Sequence, residues 1–196
     1  MREISPVVNV SVDEFLKLCS EEQRSIVEQI RGMKKEGKRI KPSAQLLDKS
    51  DILTPKFRVM LIDKVAEFVD ENIFGRSEMC IQFAELLTMA LRHFGIDARL
   101  AFGKAIYYDN TKEIFRWDHA WVRINDEVID GNLDSLPENP MVSPDIKAVP
   151  YWGKINDLPR DWRLQENQNI KYTPDEDVVN IWWPELLIFL ENFEES

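Results

Sequence analysis

Three residue types in this chain fit one kind of chemistry. Cys80 stands where Ser77-Glu78-Met79-Cys80 runs into an apolar-periodic segment, Ile81 to Phe94. His119 lies in His119-Ala120-Trp121-Val122, and Asp130 closes Val128-Ile129-Asp130. A thiol, an imidazole and a carboxylate are the parts of a cysteine nucleophile with its base and the acid that orients it. Such a set attacks acyl carbons and passes through a thioester.

The elements around these residues must bring them together. With Ser77 as a helix N-cap, Cys80 takes the third helical position, where unpaired N–H groups and the helix dipole favour a thiolate. A capping box would place Glu or Gln there, so Cys80 departs from the local stability rule. A free cysteine is also at home as a small apolar residue on a buried face. Cys80, Phe83, Ala84, Leu87, Ala90, Leu91 and Phe94 do fall on one helical face, in a helix of about residues 78 to 94 that Gly95 ends. His93 lies near the far end of this helix, about 20 Å from Cys80 at helical rise, and complements the helix C-terminus instead.

Arg99 to Tyr108 reads as a strand, Asp109 to Lys112 as a turn, and Phe115 to Ile124 with Glu127 to Leu133 as a hairpin. A turn through Asn125-Asp126 sets Ile124 opposite Glu127, Val122 opposite Ile129, Trp121 opposite Asp130 and His119 opposite Asn132. Then His119, Trp121, Asp130 and Asn132 share one face, and His119 and Asp130 are diagonal neighbours. A slip of one residue would send Asp130 to the other face. Asn132, directly opposite His119, could serve in place of Asp130. Asp118 lies on the wrong face, and Asp134 on the right face but past the expected strand end. Trp117 and Trp121 line the cleft or serve as packing aromatics. Asn72 is a candidate for a second oxyanion donor upstream of the cysteine.

The remainder frames this centre. Ser11 to Glu14 and Ser20 to Gln23 are capping patterns for two helices before Gly37. Lys38 to Thr54 is a polar connection anchored by Leu46, Leu47 and Ile52. Thr54-Pro55 starts a helix whose stripe is Phe57, Met60, Leu61, Val65, Phe68 and Val69. From Pro137 to Arg160 recurring prolines point to an irregular wrap or cover. A C-terminal helix starts near Pro184. The expected organisation is one compact domain: a helical segment over 1–74, a core over 75–135, and a wrap with a final helix over 136–196.

Composition narrows the partners. Acidic residues outnumber basic ones, 35 to 25, for a net charge of −10, which disfavours nucleic acid. The basic run Arg31 to Lys41 reads as a solvated helix end. Cys19 and Cys80 are the two cysteines, without CxxC or zinc spacing, so reduced thiols, no metal and no cofactor are expected. No apolar run is long enough to span a membrane, and the N-terminus lacks a signal peptide's apolar core, so a cytoplasmic location is expected.

At these residues the chain resembles the transglutaminase-like superfamily of papain-type fold. The matching pieces are Cys80-Ile81-Gln82-Phe83-Ala84 at the helix start, the link Gly95-Ile96-Asp97-Ala98-Arg99, then His119-Ala120-Trp121-Val122 and Val128-Ile129-Asp130. They span about residues 75 to 134. The resemblance implies an α+β fold with the catalytic helix packed on an antiparallel sheet, a Cys80–His119–Asp130 triad, and a peptide or protein amide as substrate. The family includes proteases, peptide N-glycanases, protein crosslinkers, leader peptidases and members without activity, so an inactive binding or scaffold module is the alternative. Two positions depart from the pattern. Gly131-Asn132 stand where members often have Pro-Thr, and Ile81 stands where animal transglutaminases have Trp.

Overall fold

A computed structural model describes residues 41–72, 76, 78–139, 142, 145–146 and 148–193. The expected helices before Gly37, Cys19, nearly all of the basic run and Ser77 lie outside these residues. Two helices lead into the sheet. Helix α1 (Pro55–Asn72) starts as its sequence predicts: Thr54 Oγ1 accepts the Phe57 N–H at 3.3 Å, and Pro55 takes a first-turn place where no donor is needed. Helix α2 (Cys80–His93) ends on Gly95 at φ +75°, with the Gly95 and Ile96 N–H groups returning to Arg92 and Leu91.

The strands are β1 (Leu47–Asp48), β2 (Arg99–Asp109), β3 (Lys112–Ile124), β4 (Glu127–Asp130), β5 (Tyr151–Lys154) and β6 (Trp162–Glu166). They form one sheet in the order β1-β5-β4-β3-β2-β6. All pairings are antiparallel except β1 with β5, so the sheet is mixed rather than purely antiparallel. The chain closes with a π-helical turn (Val178–Trp182) and α3 (Trp183–Glu191).

The β3–β4 register is the one the sequence predicts: Ile124 pairs with Glu127 and Val122 with Ile129. Asn125 takes φ +52° in the turn, a conformation that Asn tolerates. Alternation then splits the sheet. Ala120, Val122, Ile124 and Ile129 face the three helices in one core that includes Leu61, Phe83, Leu87 and Leu186. Trp121 and Val128 face a second core with Tyr107, Tyr151 and Trp162, closed by Leu136, Val142 and Ile146.

The stretch expected as an irregular wrap is only partly one. A 3-10 turn (Leu133–Glu138), with Val142 and Ile146 after it, does cover the second face. Tyr151–Lys154 and Trp162–Glu166, however, are strands of the sheet. Pro150 and Pro159 sit outside them, where a missing N–H costs no ladder bond. Among the described residues no helix is long and apolar enough to cross a membrane.

Candidate active site

The site begins at the start of α2. Glu78 has φ +65°, and the Met79 N–H bonds back to the Arg76 carbonyl at 3.1 Å. A left-handed residue cannot lie inside a right-handed helix, so the helix cannot begin before it. The N-cap is therefore Met79, without a side-chain cap, and Cys80 is the first helical residue. This corrects the expected Ser77 cap and third position. Cys80 still lies in the first turn, which holds the unpaired N–H groups and the positive end of the helix dipole. Cys80 packs into the helix-side core and is 8% exposed.

His119 and Asp130 meet directly. His119 Nε2 lies 2.5 Å from Asp130 Oδ2, and each side chain is 1% exposed. Nδ1 is the ring nitrogen left over, and it is buried without a partner in hydrogen-bond geometry. Cys80 is among the groups that raise the pKa of the ring. Burial alone pushes the imidazole pKa down. The charge and hydrogen bond of Asp130, with smaller contributions from Cys80, outweigh it and raise the pKa to about 10. The imidazolium is thus the favoured form at neutral pH.

Aromatic rings hold the imidazole from both sides along β3. Trp117 stacks on it at 4.7 Å between centroids and 16° between planes, and Trp121 follows at 6.2 Å. The indole N–H of each is buried without a partner. Both are thus packed against His119.

The other candidates fall elsewhere. Asn132 does not orient His119: its Nδ2 donates to the Arg76 carbonyl at 3.0 Å. Asp134 accepts both terminal nitrogens of Arg76, at 2.6 and 2.5 Å. Asp118 is 84% exposed and pairs with Lys104 at 2.6 Å. His93 ends α2 and packs against Phe94 and Trp183. Asn72 is the last residue of α1. Arg76 and Asn139, which donates to Glu78 Oε1, were not singled out by sequence. The one available signal was a second acid, Asp134, left without a task after Asp130.

Gly131 explains one departure from the family pattern. A Cβ there would lie 2.7 Å from Ile62 Cδ1 and 2.8 Å from the Phe83 ring. The exit of β4 presses against α1 and α2 at the residue after Asp130, so a larger residue there requires Ile62 and Phe83 to shift. A cavity of about 700 Å³ lies elsewhere, between α2, the start of β2 and residues 166–179. Its lining includes Glu85, whose buried carboxyl accepts from the Tyr172 hydroxyl, but none of Cys80, His119 or Asp130. Mainly through burial, the Glu85 pKa is raised, and we assign this group to anchoring the C-terminal segment.

A profile of the transglutaminase-like superfamily matches residues 26–130, more than half of the chain. The chain belongs to the transglutaminase-like superfamily. The match ends on Asp130 and takes in Cys80, His119 and α1. No curated protein and no solved structure matches the chain. The transglutaminase-like superfamily generally performs cysteine-dependent acyl chemistry, and the α+β architecture here agrees with its papain-like core.

Proposed function

We propose that this transglutaminase-like protein is a thiol-dependent hydrolase or acyltransferase acting on an amide bond, with Cys80 as nucleophile, His119 as acid–base and Asp130 as its orienting acid. The observation that carries the reading is the buried 2.5 Å contact of Asp130 with Nε2, which leaves Nδ1 of the same ring for Cys80.

In this reaction Cys80 Sγ, as a thiolate paired with the imidazolium, adds to the amide carbon. The tetrahedral oxyanion is met by backbone N–H groups at the start of α2, beginning with that of Cys80. The C–N bond breaks as His119 gives its proton to the leaving amine. The thioester is then resolved by water or a second amine, which His119 deprotonates, and the thiolate is restored. Asp130 stabilises the imidazolium throughout. Trp117 and Trp121 hold the ring plane, and Trp117 adds cleft wall. The substrate is a peptide or protein amide rather than nucleic acid, in keeping with the net charge of −10.

One observation favours a second reading, a binding module with a silent triad: Cys80 is only 8% exposed. Incubation with a peptide-amide mixture, acid quenching and mass spectrometry separates the two. The enzyme reading expects an acyl adduct on Cys80 that is absent from Cys80→Ala. Turnover that persists in Cys80→Ala overturns it.

A further inference from the structure

We infer that Arg76 is a positioning residue that sets the place of Cys80 relative to Asp130, acting through Asp134. The inference rests on the triad reading above. Arg76 lies four residues before Cys80, and Asp134 four residues after Asp130. The fork between them has N–O distances of 2.6 and 2.5 Å, with side chains 2% and 1% exposed. Two parallel hydrogen bonds fix orientation as well as distance, which a single charge contact does not.

The same two segments are joined twice more. Asn132 Nδ2 donates to the Arg76 carbonyl, and Asn139 Nδ2 donates to Glu78 Oε1. Arg76 Nε also reaches Asp70 Oδ2, near the end of α1, at 3.3 Å. The stretch after β4 therefore serves both halves of the site. Asp130 grips His119 from inside the strand, while Asn132, Asp134 and Asn139 grip the loop that delivers Cys80. Gly131, between the two grips, runs close to Ile62 and Phe83.

A buried ion pair adds little to stability compared with well-packed apolar residues, because both charges lose their hydration. Its worth here is geometric. The loop it holds contains a left-handed Glu78, a conformation that costs energy and persists only when its surroundings impose it. Without the fork the loop relaxes and Cys80 drifts from Nδ1. A drift of about 1 Å is enough to cost roughly 100-fold in rate.

The test compares wild type, His119→Ala, Arg76→Lys and Asp134→Asn, each checked for cooperative unfolding. Arg76→Lys keeps the charge and loses the fork; Asp134→Asn keeps the shape and one acceptor. The readouts are the pH profile of Cys80 alkylation by iodoacetamide and, on any turned-over peptide, kcat apart from KM. A positioning role predicts that either variant, while folded, slows alkylation at neutral pH about tenfold or more and shifts the profile, with the loss in kcat rather than KM. Folded variants with wild-type rate and profile overturn the inference, even if their melting temperatures fall. If Arg76→Lys does not fold, Asp134→Asn decides. If His119→Ala leaves alkylation unchanged, the triad reading itself has failed. If His119→Ala slows it and the fork variants do not, only the positioning role has failed.

Discussion

Asp130 Oδ2 and His119 Nε2 lie 2.5 Å apart with both side chains buried, and this contact divides the imidazole into one committed and one available nitrogen. Burial works against the charged ring, but Asp130 and Cys80 outweigh it and bring the pKa to about 10. We predict that the His119 ring titrates far above the usual 6.5, and that Asp130→Asn lowers the midpoint. Ring resonances of His119 and His93 followed by NMR against pH check this. The sign for stability follows: the folded pKa is raised, so the contribution is fully present below about pH 6.5 and is lost as pH rises through about 10. A His119 midpoint near 6.5 would contradict the proposed ion pair.

Gly131→Ala places a methyl group against Ile62 and Phe83 at distances no settled core shows. The expected cost is about 1–3 kcal/mol from overpacking. Urea denaturation measures it, and an unchanged midpoint would mean that the β4 exit is looser than described.

Gly95→Ala probes the other end of α2. Nothing lies within 4 Å of the added carbon, so only φ +75° opposes it. The penalty should be about 1–2 kcal/mol, again by denaturation. A smaller cost than Gly131→Ala despite equal chemistry would show contact outweighing conformation.

Much of the site was legible because its determinants are local. The Asn125-Asp126 turn and the alternation of Ala120, Val122 and Ile124 fix the β3–β4 register, and with it the shared face of His119 and Asp130. The spacing of Phe83, Leu87 and Leu91 marks α2, and Gly95 its stop. What was missed depends on distant partners. Tyr151–Lys154 is too short for alternation to show and is a strand because β4 lies beside it. Ser77 reads as a cap until Glu78 turns left-handed, which Asn139, far along the chain, helps to hold. Arg76 in a loop has no periodicity to announce it, and its meaning appears only when Asp134 arrives.

In the proposed site His119 activates the Cys80 thiol. The most direct test is the rate of Cys80 modification by iodoacetamide at neutral pH, read by mass spectrometry with Cys19 as the internal comparison. Activation predicts that Cys80 reacts faster than Cys19 despite its burial, and that His119→Ala slows it about 100-fold or more. Equal labelling of Cys19 and Cys80, unchanged in His119→Ala, would contradict it.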